Sequence, residues 1–145
     1  MTFTLQERAD ALQATKDHFD GHAFAWGRWD CARLLADYFE RLGAPWPIKK
    51  IGPYSSASGA VRFLSRLGFD SMGDVMQSRL SPITPAFAWI GDIIEFESDS
   101  VLGCLGIAMG NNAVYCYVPE CEEPRAARII APKRAWRVSR EALEV

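Results

Sequence analysis

Trp26-Gly27-Arg28-Trp29-Asp30-Cys31 is the stretch on which the reading of this chain turns. Asp30 is of the type whose side chain caps the free N–H groups that open a helix, and Leu34, Leu35, Tyr38, Phe39 and Leu42 follow as one apolar stripe. The spacing predicts a helix from about Cys31 to Leu42, stopped by Gly43 with Pro45 and Pro47. Cys31 then stands at the helix N-terminus, where unpaired N–H groups and the helix dipole favour a thiolate and draw the pKa toward a nucleophile's range. The alternative is a small buried residue, as free cysteine often is.

Working outward, Thr4 and Glu7 form a capping-box pattern, and Leu5, Ala9, Leu12 and Phe19 recur at helical intervals. A first helix near residues 4–19 is expected, broken by Asp20 and Gly21. Residues 43–56 have the composition of a surface loop. A third helix fits Ser58 to Leu67, with Ala60, Val61, Leu64 and Leu67 as its buried face, and a short fourth fits Ser71 to Leu80. Pro82 and Pro85 end the helical part. After Gly91 the period changes: Ile94 and Phe96 alternate with Glu95 and Glu97, as in a half-buried strand. Leu102 to Met109 and Ala113 to Val118 read as a hairpin around Gly110-Asn111-Asn112, with short strands near Arg128 to Ala131 and Ala135 to Ser139. Helices first and strands afterwards predict an α+β fold, its N-terminal helices packed on an antiparallel sheet of four to six strands.

With 145 residues, 49% of them hydrophobic, the chain has the size and apolar content of one domain spanning 1–145. A net charge of -2 argues against a nucleic-acid partner or a polybasic membrane patch. No apolar run approaches the roughly 20 residues that span a bilayer, and Glu7, Arg8 and Asp10 stand where a signal peptide would be apolar. A soluble chain that does not use the secretory route is expected. Its four cysteines, Cys31, Cys104, Cys116 and Cys121, are accordingly expected to be reduced. No pair has zinc-knuckle spacing, and no cofactor or metal is expected. Trp26, Trp29, Trp46, Trp89 and Trp136 read as core or interface residues rather than a glycan cleft, and Lys133-Arg134 with Arg137 as a solvated basic end or partner contact.

Phe24-Ala25-Trp26-Gly27 with Asp30-Cys31, then Gly91-Asp92-Ile93-Ile94, then Leu105-Gly106-Ile107-Ala108, resembles the NlpC-type cell-wall cysteine peptidases, a branch of the papain-like fold. The resemblance covers a core of about residues 21–118, between the N-terminal helix (1–20) and C-terminal strands (119–145). Tyr54-Ser55-Ser56-Ala57-Ser58-Gly59-Ala60 and Ala135-Trp136-Arg137-Val138 are similar to segments of an uncharacterised sub-branch found among phage and prophage tail genes. The resemblance implies that Cys31 occupies the nucleophile position, Cys104 that of the base histidine, and Cys116 that of the third, orienting residue. A papain-type attack needs an imidazole to take the thiol proton and return it to the leaving amine, a task a thiol performs poorly. Of the two histidines, His18 and His22, only His22 is a candidate substitute base.

Strand parity bears on this carry-over. A two-residue turn at Asn111-Asn112 places Cys104 on the face of Tyr115 and Tyr117, whereas a three-residue turn including Gly110 aligns it with Cys116, as the resemblance requires. If aligned, Cys31, Cys104 and Cys116 converge. Three outcomes then stand side by side: a soft-metal or iron–sulfur site with Cys121 as fourth ligand, an oxidised pair, or small fillers of a cleft that no longer works. The expectation is a catalytically degenerate NlpC-type domain at a phage or prophage-derived tail tip. It would be assembled in the bacterial cytoplasm, carried in the virion, and partnered by hub and fibre-bearing tail proteins. The alternative is an active cysteine hydrolase cutting the peptide stems of peptidoglycan during phage entry, with Cys31 as nucleophile.

Overall fold

The computed structural model describes residues 3–47, 53–98, 103–117 and 123–140. Four helices come first: α1 (Leu5–Phe19), α2 (Cys31–Leu42), α3 (Ala57–Leu67) and α4 (Met72–Arg79). Six strands follow: β1 (Ser81–Ile83), β2 (Ile93–Phe96), β3 (Cys104–Gly110), β4 (Ala113–Cys116), β5 (Arg125–Arg128) and β6 (Pro132–Arg137), with a 3₁₀ turn at Pro85–Phe87. Each of the four described α-helices starts on a capping side chain, and Ser56, outside the helix expected from Ser58, caps the third. Thr4 and Glu7 close a capping box on α1, and Asp30, Ser56 and Ser71 accept N–H groups at the starts of α2, α3 and α4. The strands form one antiparallel sheet in the order β1-β6-β2-β3-β4-β5, giving the expected α+β fold.

Alternation along the strands divides the core. Ile93, Leu105, Ile107, Tyr115, Tyr117 and Trp136 join the main core with the α2 side chains Leu34, Leu35, Tyr38 and Phe39. Ile94, Ala108 and Ala135 form a smaller cluster, covered by Ile83, Ala88, Phe96 and Ile129. Thus α2 runs against β3, which brings the start of the helix to the start of that strand.

Several expectations are corrected. Val61 and Leu67 are 38% and 44% exposed, because α3 buries only the narrow ridge of Ala60 and Leu64. Pro82 follows the end of α4 as expected, and it lies within a strand not foreseen there, β1, at the edge of the sheet, where a missing N–H costs no ladder bond. Glu95 is buried rather than solvent-facing, because Arg134 stands directly opposite on β6 and binds both its oxygens. The basic end is therefore not simply solvated: Arg134 also bonds Asp74, and Arg137 bonds the buried Asp92. The strand expected near Arg128 to Ala131 begins earlier, at Arg125.

The β3–β4 hairpin has the two-residue turn but not the parity expected with it. Asn111 and Asn112, with φ of 53° and 60°, make a two-residue turn between Gly110 and Ala113, as the left-handed requirements of a type I′ turn demand. Ala108 then pairs with Val114 and Ile107 with Tyr115, so Met109 is an extra residue forming a bulge. The bulge reverses the parity set by the turn. Tyr115 and Tyr117 face the main core, and Cys116 shares its face with Cys104 and Gly106.

Candidate functional site

The site is built around Asp30. Ala25 and Trp29 pair across a tight turn in which Gly27 has φ +78°, and this turn delivers Asp30 to the head of α2. One Asp30 oxygen accepts the Arg33 N–H at 2.9 Å, and the other accepts the Gly27 N–H and the Tyr54 hydroxyl, each at 2.8 Å. Gly27 is required twice over: its φ suits glycine, and a Cβ there would stand 1.8 Å from the Tyr54 carbonyl oxygen. The Trp-Gly-x-x-Asp-Cys opening and the Tyr54 segment are thus parts of one brace. Single-site reasoning missed Tyr54, although its recurrence beside the Asp-Cys pair was the available signal.

Cys31 is 7% exposed, and its thiol points at β3, donating to the Gly103 carbonyl at 3.8 Å. The expected pKa depression is overturned. Burial pushes the Cys31 thiol up, the neighbouring Asp30 and Cys104 add to this, and the Leu105 N–H only partly offsets it. Cys104, the first residue of β3, is half-buried and donates to the Tyr117 carbonyl at 3.9 Å. Cys116, the last residue of β4, is 2% exposed. The neighbouring Cys116 thiol draws the Cys104 pKa down, and Cys104 together with burial pushes that of Cys116 up. Cys116 also feels Cys31 electrostatically. All three are free thiols.

His22 is placed elsewhere. It is exposed, its ring stacks on Trp29 with centroids 3.7 Å apart, and its carbonyl accepts the Tyr117 hydroxyl. The groups that shift the Cys31 thiol are Asp30, Cys104 and the backbone of Leu105 and Cys31, not His22. Asp92, from the Gly-Asp strand opening, is fully buried, accepts the Trp89 N–H, and pairs with Arg137 and, at 3.6 Å, Arg8. It ties α1 to β6. Among the described residues no group of three or more His, Cys, Asp or Glu side chains is arranged to hold a metal ion, and Cys121 lies outside them. No described helix is long and apolar enough to cross a membrane.

The arrangement keeps a cysteine at a helix start but surrounds it with thiols, a carboxylate and phenols. Solved structures share this fold, among them two domains named p60 or NlpC/p60. The p60 domain of an M. avium paratuberculosis antigen has a TM-score of 0.55 at 16% identity, covering 92% of this chain and 94% of that one. The NlpC/p60 domain of the peptidoglycan hydrolase SagA has a TM-score of 0.57 at 16% identity, covering 88% and 97%. The fold is therefore of the NlpC/p60 type. No curated protein matches the sequence. A family model matches residues 4–138, from the capping threonine of α1 to the end of the sheet, and the chain belongs to that family, the domain of unknown function DUF6950.

Proposed function

We propose that this chain is a catalytically degenerate NlpC-type domain, retained as a structural component of a phage or prophage-derived tail tip. The observation that carries the loss of catalysis is that the position of the base histidine holds a thiol, Cys104, while the imidazole of His22 is exposed and stacked on Trp29. A thiol held protonated by burial, with no base to relieve it, is a poor nucleophile. The features kept around it serve shape: Asp30 caps and braces, Gly27 admits Tyr54, and Trp136 is core. The tail-tip role is supported by the resemblance of the Trp26–Cys31, Tyr54–Ala60 and Ala135–Val138 segments to tail-gene domains. Its partners in this role are the hub and fibre-bearing proteins.

The second reading, an active hydrolase acting on peptidoglycan peptide stems, is favoured by one observation, the retention of Cys31 at the head of α2. Incubating the purified protein and Cys31→Ala with peptidoglycan fragments separates the two. No release of peptide products by either is expected; cleavage by the wild type that Cys31→Ala abolishes would overturn the proposal. In particles, deletion of the protein should block tail assembly and Cys31→Ala should not. A Cys31→Ala particle that assembles but cannot infect would also decide for the hydrolase.

A further inference from the structure

Cys104 opens β3 and Cys116 closes β4, and the bulge at Met109 sets both on one face of the hairpin as diagonal neighbours. Gly106 lies between them: a Cβ there would stand 2.7 Å from the Cys116 Cβ, so the absence of a side chain leaves the space into which Cys116 leans. Cys104 in turn reaches toward β4, its sulfur 3.9 Å from the Tyr117 carbonyl. Each thiol is the other's strongest electrostatic influence. Cys31, by contrast, is held on the Gly103 carbonyl and the Leu105 N–H.

We propose that Cys104 and Cys116 are an oxidisable dithiol, closed to a cross-strand disulfide by exchange with a low-molecular-weight disulfide such as oxidised glutathione. Cys104 is the point of entry, because it is half-buried while Cys31 and Cys116 are buried. The neighbouring Cys116 thiol favours the Cys104 thiolate. The Cys104 thiolate attacks one glutathione sulfur, the S–S bond breaks, and one glutathione leaves as thiolate and takes up the proton Cys104 released. Cys116 gives up its proton and attacks the Cys104 sulfur of the mixed disulfide, and a second glutathione leaves and takes that proton. One disulfide is reduced and one formed. Diagonal cross-strand residues stand about 7 Å apart, near the upper limit for a disulfide, so closure draws two strand ends together. Both cysteines are terminal in their strands, so no ladder bond inside the hairpin has to break.

The proposal is independent of whether Cys31 turns over, and its test does not use hydrolysis. The full chain is incubated natively with oxidised glutathione, free thiols are alkylated, and the protein is cut at Met109 with cyanogen bromide and after Glu120 with a glutamyl endopeptidase, which separates Cys104, Cys116 and Cys121. The wild type should lose two free thiols and yield a Cys104–Cys116 linked peptide without retained glutathione. Cys116→Ser should stop at a glutathione adduct on Cys104, and Cys104→Ser should form neither. A bridge to Cys31 or Cys121, a lasting adduct on the wild type, or a Cys104 that stays free would each overturn the inference.

Discussion

Replacing Asp30 by alanine should destabilise the fold through three donors that share one carboxylate. Asp30 is fully buried and accepts the Gly27 N–H, the Arg33 N–H and the Tyr54 hydroxyl. Loss of the cap on α2 costs about 1 kcal/mol. The other two donors lose their acceptor in a half-buried setting, at about 1 kcal/mol each or somewhat more. The expected total is about 3–4 kcal/mol, which with a urea slope near 1.5 kcal/mol per molar lowers the midpoint by about 2 M. Tyr54→Phe alone should cost about 1–2 kcal/mol and add little to Asp30→Ala, since both remove the same bond. Urea unfolding of the two single variants and the double variant measures this. A loss below about 1 kcal/mol for Asp30→Ala, or strict additivity in the double variant, would refute the brace. The same substitution removes a negative charge beside Cys31, so thiolate absorbance should show that thiol titrating lower than in the wild type.

The Glu95–Arg134 pair should break asymmetrically: Glu95 is 3% exposed and Arg134 28%, so Arg134→Met, which strands a buried carboxylate, should cost about 3–5 kcal/mol. Glu95→Gln should cost distinctly less, because the guanidinium can reach water; equal losses in urea would contradict the burial argument. Stability should fall above about pH 8.5, where the unfolded chain releases thiol protons that Cys31 and Cys116 keep when folded. The slope is up to about 1.4 kcal/mol per pH unit for each thiol, whereas Cys104, whose pKa moves the other way, adds stability only as pH rises toward the unfolded thiol's pKa. Cys31→Ala should flatten this alkaline limb, as denaturation across pH 7 to 10 would reveal. Deleting Met109 removes the bulge and sets the turn against the core, expelling Tyr115 and Tyr117 at about 3–6 kcal/mol if the turn persists. A deletion variant within about 1 kcal/mol of wild type, with unchanged near-ultraviolet circular dichroism, would show that the bulge does not hold the register.

The helices were legible because their boundaries are chemical: Thr4, Asp30 and Ser71 are side chains that satisfy specific N–H groups, and Gly43 and Gly68 adopt the left-handed caps that end α2 and α3. The strands were legible as elements, but their pairing was not. Whether Glu95 faces water depends on Arg134, thirty-nine residues away, standing opposite it, and local alternation contains no trace of that partner. Pro82 hid β1, since only an edge position tolerates it. At the site, the placement of Cys31 at the head of α2 was legible from the Asp30 cap. The ionisation of Cys31 was not, because the helix-end argument weighs the dipole and omits the burial that outweighs it.

The bulge at Met109 also bears on how relatives of this chain are to be compared. A single inserted residue in β3 shifts the frame of every later side chain in the hairpin, so the interval between Cys104 and Cys116 is one residue longer than in a hairpin with the same turn and no bulge. Matching such a relative by constant spacing would pair Cys116 with a residue on the opposite face of the sheet. A gap placed at Met109, rather than in the Asn111-Asn112 tip where loops usually absorb length, keeps equivalent faces in register.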